Sequence, residues 1–347
     1  MLQYGQGNMF MNLKKQLDHG FSIIEIIIVI VIIGILSTIV VVSYTGVQSR
    51  ANIVSLKSDL SNAVDFLQID KAQSSTGVFP TTLAFANGGL GIVPSPGSTF
   101  AYTVNNANTP KTFCLTATKG TQSYFTTQDG TLSVGVCPML YFDVGVATSY
   151  PGSGTTLFDL SGSTNNGSIV GGVTYSSDKR GVLVFNGVDG RVESAIQTYG
   201  NNTTWTAWVK CYENISSYNM FMGRHLPYFS FYGGNSMFFS NRIGGTQRTI
   251  QSTSNLSLNT WYHAAFTSEY DGTNTTDKIY INGDFKISGS WPGTQSNLSY
   301  NFVLGDGHTP AWYPFKGEIS QVRVYNYSLT ADEINQDYAN QHDRYGL

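Results

Sequence analysis

The chain changes its hydrophobic rhythm twice. From Phe21 to Val42 it reads FSIIEIIIVIVIIGILSTIVVV, apolar at nearly every position and interrupted by one charge, Glu25. At about 1.5 Å per residue the run makes about 33 Å of helix, enough to cross a hydrocarbon core of about 30 Å. It is too long for a strand, which usually ends by about ten residues. Ile53, Leu56, Leu60, Val64 and Leu67 then recur at spacings of three and four. That stripe predicts a helix lying on a sheet, with Arg50, Lys57, Asp59 and Asp65 on its other faces. One helix is expected over 21–73. No proline stands at Val42, so no break is expected there; Gly34 and Gly46 are the weak points.

From residue 74 the pattern becomes short β-type runs between Gly and Pro. Over 74–138, Phe100–Val104, Thr112–Thr118, Ser123–Thr127 and Thr131–Val136 predict strands, the last three flanked by Cys114 and Cys137. From 139 to 347 short strands and Gly/Asn/Ser turns predict an all-β sandwich. Trp205, Ala207, Val209 and Cys211 alternate onto one face, which makes Cys211 a buried, unpaired thiol. Val182, Val184, Val322, Val324, Trp208, Trp261 and Tyr280 are expected in the core, and His263 as a packed histidine beside Trp261. Thr330 and Glu333 have the spacing of a capping box at the start of a short last helix. The expected fold class is α+β, a long helix on a small antiparallel sheet followed by an all-β jelly-roll sandwich.

Charge narrows the functions. Charged residues are 12% of the chain and the net charge is −3; no basic stripe marks a nucleic-acid partner. Lys14 and Lys15 stand before the apolar run, which sets the N-terminus cytoplasmic and the C-terminal bulk outside, where disulfides form.

The leader MNLKKQLDHG, then Gly20–Phe21, Glu25 and the Ile/Val run resemble the type IV pilin family. The resemblance implies that residues 1–20 are removed by a prepilin peptidase, which cuts after Gly20 and methylates Phe21. A carboxylate in lipid is costly and usually has a partner; the family's partner for Glu25 is the freed amine of the neighbouring subunit. The subunit is then expected in the inner membrane, single-pass, before it joins other pilin subunits in an extracellular helical filament. FCLTATKG…YFTTQDG…GVCP resembles the pilin disulfide loop, implying a Cys114–Cys137 bridge. The chain departs from many pilins at Val42, where the family often has proline.

LYFDVG, VLVFNGVDGRVE, WTAWVK, WYHAAFT, KIYINGDFK and PFKGEISQVRVYNYSLTADEI resemble the laminin-G-like branch of concanavalin A-like jelly rolls, over nearly all of 139–347. Many relatives hold a structural calcium. Asp143, Asp159, Asn166 and Asp189 are the candidate oxygen ligands here, although Ser320 and Gln321 replace the two acids common in the closing motif. No cofactor is required. Aromatics on loops ask for a partner: Trp312 and Tyr313 in DGHTPAWYP, with Arg224, His225, Tyr228 and Trp291, are the candidate ligand-binding residues. Glycosidases need paired carboxylates, whereas Glu193, Glu213, Glu269, Glu318 and Glu333 are well separated, and no nucleophile-elbow or zinc-protease motif occurs. No enzyme activity is expected. The domains are 1–20 leader, 21–73 helix, 74–138 small sheet head and 139–347 sandwich. The expected function is an adhesive type IV pilus subunit that binds surface carbohydrate or protein. The alternatives are a purely structural pilus subunit and a pseudopilin of a type II-like secretion system.

Overall fold

The computed structural model describes residues 22–196, 200–213, 218–223, 225–233, 236–253, 255–296, 301–306 and 313–347, with the side chains of 39–45 set aside. Residues up to Ala51 form one compact unit and 52–347 another. In the first, helix α1 (Ile23–Gln73) begins, and its apolar residues from Ile23 to Leu36 are 48–81% exposed on every side. A helix apolar all round needs apolar surroundings on every face. Among the described residues no helix is long and apolar enough to cross a membrane; the run Phe21–Val42 passes outside the described side chains at both ends.

The second unit opens with the rest of α1. Leu56, Leu60, Ala63, Val64 and Leu67 are buried, as the stripe predicts. They pack on an antiparallel sheet in the order β1 (Thr99–Asn105), β2 (Thr112–Lys119), β3 (Gln122–Thr127), β4 (Leu132–Val134). Alternate residues of a strand face opposite sides. Phe113, Leu115, Ala117, Tyr124 and Val134 meet the helix. Cys114, Phe125 and Ser133 face the other way, into the sandwich.

The described sandwich strands begin with β5 (Leu140–Asp143), β6 (Thr156–Leu157), β7 (Gly167–Val170), β8 (Val173–Ser176), β9 (Val182–Asn186), β10 (Arg191–Ser194), β11 (Thr203–Cys211), β12 (Asn219–Gly223), β13 (Tyr228–Tyr232), β14 (Ser236–Ile243), β15 (Thr246–Gln251) and β16 (Trp261–Tyr270). They continue with β17 (Asn274–Ile281), β18 (Asp284–Pro292), β19 (Phe302–Leu304) and β20 (Lys316–Tyr325), before helices α2 (Ala331–Ala339) and α3 (His342–Tyr345). One sheet runs β18-β17-β16-β11-β20-β9-β8, with β5 also on β20; the other runs β15-β14-β13-β12-β19-β10-β7-β6. Between them lies the main core, which includes Trp205, Val209, Cys211, Phe221, Phe229, Phe239, Phe266, Val322 and Val324.

The first of these sheets is proximal to the head. Its outer face presents Tyr141, Ala265, Tyr280 and Tyr325, which share one buried cluster with Cys114 and Phe125 of the head. Farther along that face, Val182, Trp208 and Trp261 are covered by Tyr345. The Thr330–Glu333 capping box is present at the start of α2. Arg323 ties the junction: its guanidinium pairs with Asp337, donates to Ser133 Oγ at 3.0 Å and lies 4.6 Å over the Tyr141 ring. Burial pushes the Asp337 carboxyl up, but the Arg323 charge and the His263 hydrogen bond outweigh it and hold the group below its ordinary range. Gly162, at φ +80°, lets backbone meet backbone here, since a Cβ would stand 2.7 Å from the Thr103 carbonyl oxygen. Asn105 Nδ2 donates to Ser163 O at 3.0 Å. The sequence boundary at Pro138 therefore lies inside one packed body. Its layers run from helix to head sheet to proximal sheet to distal sheet.

Candidate ligand-binding face

The outer face of the distal sheet is the side remote from the head. Along β13 the sequence YFSFY sends Phe229 and Phe231 into the core and Tyr228, Ser230 and Tyr232 outward. Phe238 of β14 and Met220 of β12 join them on the outside. Tyr218 lies at the centre, 4.5 Å from the Tyr232 ring and stacked on it, 4.9 Å from Tyr313, 5.1 Å from Phe238 and 5.7 Å from Tyr228. Tyr313 is held beside β12 by Met220 N–H, which donates to its carbonyl at 3.2 Å. Tyr228 and Phe238 are buried, while Tyr218, Tyr232 and Tyr313 keep part of their surface in solvent. Burial pushes the Tyr218 and Tyr228 phenols up. They stay protonated at neutral pH and offer uncharged donors, acceptors and ring edges.

This cluster unites Tyr228 and Tyr313, two of the sequence candidates. His225, which adopts φ +60°, leads into β13; Arg224 and Trp312 lie outside the described residues. Trp291 does not belong with them. It packs on the main core at the open edge of the sandwich, over Gly289 and Ile250, with Arg248 at 6.0 Å. Tyr218 and Tyr232 were not singled out from sequence, although the strict alternation of YFSFY carries the signal for Tyr232.

Of the calcium candidates Asp159 and Asn166 are neighbours, and each of the three carboxylates already has partners. Asp143 is paired with Arg344 at 2.8 and 3.0 Å and accepts from Gln321 Nε2 at 2.8 Å. Asp159 is buried and accepts from Tyr141 N, Ser161 N and Ser161 Oγ at 2.7–3.0 Å; Asn166 Oδ1 accepts from Asp159 N. Burial pushes the Asp159 carboxyl up despite these bonds. Asp189 accepts from Asn186 Nδ2 and Gly172 N, which lower its pKa. A cationic partner on Asp143 and donors on the other two aspartates make these residues a poor fit to calcium. Among the described residues no group of three His, Cys, Asp or Glu side chains converges as a metal site needs. The glutamates are also occupied: Glu193 by Arg191, Glu213 by Lys316, Glu269 by Lys278, Glu318 by Lys210, and Glu333 in its cap. His263 is buried against Trp208 and bonded to Asp337 at 3.3 Å, a packed histidine.

At the other end of the chain, Gly20 and Phe21 lie outside the described residues. Ser22 N donates to Glu25 Oε2 at 2.7 Å and Glu25 N to Ser22 Oγ at 3.3 Å, a reciprocal capping box. Cys114 and Cys137 form a disulfide, and Cys211 is a buried thiol whose pKa burial pushes up to about 11.

Comparison with known proteins places both ends of the chain. Residues 15–41 match the prokaryotic N-terminal methylation motif, and 185–335 match the concanavalin A-like lectin/glucanases superfamily. Type II secretion system core protein G of Klebsiella michiganensis and that of Aeromonas hydrophila are each 34% identical over 73 residues, 20% of this chain and 48% of theirs. The match thus spans about half the length of these curated relatives. Among solved structures, the botulinum neurotoxin type G receptor binding domain is 16% identical with a TM-score of 0.45, covering 59% of this chain and 51% of that one. The binding domain of Paraclostridial Mosquitocidal Protein 1 is also 16% identical with a TM-score of 0.45, covering 57% and 51%. The chain joins a prepilin-type methylation motif to a concanavalin A-like, lectin-type domain, and its fold class is α+β.

Proposed function

We propose that this chain is an adhesive subunit of a type IV pilus and that the distal tyrosine face binds a surface carbohydrate or protein. One observation carries the reading. The partly exposed aromatic cluster lies on the face of the sandwich remote from the 52–73 part of α1, with the head sheet and the proximal sheet between them. A pilin-type helix packed among other pilin subunits would then leave this face turned outward. A prepilin peptidase would remove the leader after Gly20 while the helix stays in the inner membrane, and Glu25 would leave its cap on Ser22 to pair with a neighbour. The binding needs no cofactor and no catalysis. The test is a glycan array probed with residues 52–347, with calcium and with chelator. Saturable binding in both supports the reading. A folded segment silent on every glycan confines it to protein ligands.

A second reading is a pseudopilin of a type II-like secretion system, favoured by the 34% identity to core protein G. Deleting the chain would then stop export and leave attachment intact.

A further inference from the structure

The head and sandwich are joined covalently at Pro138, immediately after Cys137, and Cys137 is bridged back to Cys114 in β2. The bridge closes a sequence separation of 23 while holding the two Cα atoms 6.0 Å apart. What it bypasses is the mechanically weak part of the head. β4 is the edge strand of the four-stranded sheet and pairs with β3 at only three positions, Tyr124–Val134, Phe125–Ser133 and Thr126–Leu132. A pull on Pro138 without the bridge would open those pairs one after another, from the end. β2 is an interior strand, paired with β1 from Thr99–Thr118 to Asn105–Thr112 and with β3 from Cys114–Thr127 to Lys119–Gln122. Its other face carries Phe113, Leu115 and Ala117 into the core under α1. Load delivered to β2 must break many pairs together.

We propose that the Cys114–Cys137 bridge is a strap that carries tension from the sandwich directly into β2 and keeps residues 115–136 out of the load path. Arg323, which donates to Ser133 of β4, holds the bypassed strand against the sandwich from the other side. Cys114 is fully buried at the junction, so the strap is shielded while the two parts stay packed. Only the origin of the tension, a bound ligand on the distal face, rests on the adhesive reading; the strap itself is measured without a ligand.

Single-molecule pulling on the full chain tests it, with one handle at the exposed Thr249 of β15 and the other at the N-terminal end. The bridged chain is expected to show no early extension. The Cys114→Ser/Cys137→Ser variant is expected to add a first, low-force step of up to about 80 Å, the extended length of the released segment at ~3.5 Å per residue. Wild-type chain reduced in mild denaturant and returned to buffer with the handles attached should show the same step, which covers the case in which the variant fails to fold. If the reduced chain, still folded by circular dichroism, breaks first at the same force and length as the bridged chain, the strap carries no load and the proposal is overturned. Either result leaves ligand binding by the distal face to be decided separately.

Discussion

The two outer faces of the sandwich are both rich in aromatic residues, and among the described residues only one of them is closed. On the proximal sheet Trp208 stacks on Tyr345 with ring centroids 3.9 Å apart and donates Nε1–H to Gln341 at 3.0 Å. Trp261 packs beside it, and the head sheet covers Tyr141 and Tyr325. On the distal sheet Tyr218, Tyr232 and Tyr313 rest on Phe238 and Tyr228 with part of each ring in solvent. Composition alone does not separate fold aromatics from site aromatics. What separates them is what the chain supplies as cover, which on the proximal side is its own C-terminal helices and its head.

The sharpest break of this contrast is Trp208→Ala. Removing a buried indole costs about 3–5 kcal/mol, so thermal unfolding of 52–347 should show a large loss of stability. A loss below about 1 kcal/mol would mean that the proximal cover is not part of the core. A smaller effect probes the space between the two faces. Asp277 is buried between the sheets with Asn241 at 3.3 Å, and burial pushes its pKa from 3.8 to about 7. The folded state therefore holds the proton more tightly than the unfolded chain. Stability should fall as pH rises from about 4 to about 7 and level off above that. Asp277→Asn should match wild type near pH 4 and exceed it at pH 8 by on the order of a few kcal/mol, since each pKa unit is about 1.4 kcal/mol. Parallel denaturant titrations at the two pH values check the sign; a variant equally displaced at both would remove Asp277 from the account. The smallest effect is at the edge of the proximal cover. Thr330→Ala removes the N-cap of α2 and should cost about 1 kcal/mol, read as faster amide exchange in α2 with no change in the distal tyrosines.

Much of this architecture is legible in the sequence. The stripe Ile53 to Leu67 marks the buried face of α1, and the four head strands lie where the alternation puts them, within one or two residues at each end. The capping box, the inward face of β11 and the packing of His263 follow from local spacing. The junction and the site were less legible because they depend on partners far away in the chain. Asp143 in an oxygen-rich turn reads as a metal ligand until Arg344, 201 residues later, takes both its oxygens. Trp291 reads as an exposed aromatic until Gly289 and Ile250 are seen beneath it. Tyr218 lies outside any periodic run and acquires its role only because β12, β13 and the segment at Tyr313 become neighbours. Gly162 gives no hint in sequence that its missing side chain lets the segment before β7 touch the head sheet.

The central claim is that the distal tyrosine face, and not the proximal aromatics, meets the ligand. The most direct measurement is a binding titration of 52–347 against the strongest array hit, comparing wild type with Tyr218→Ala and Tyr232→Ala, each checked for an unchanged unfolding midpoint. The account predicts at least a tenfold weaker affinity for both variants, the scale of a lost contact worth about 1.4 kcal/mol. Unchanged affinity in both folded variants would contradict it and return the tyrosines to the fold.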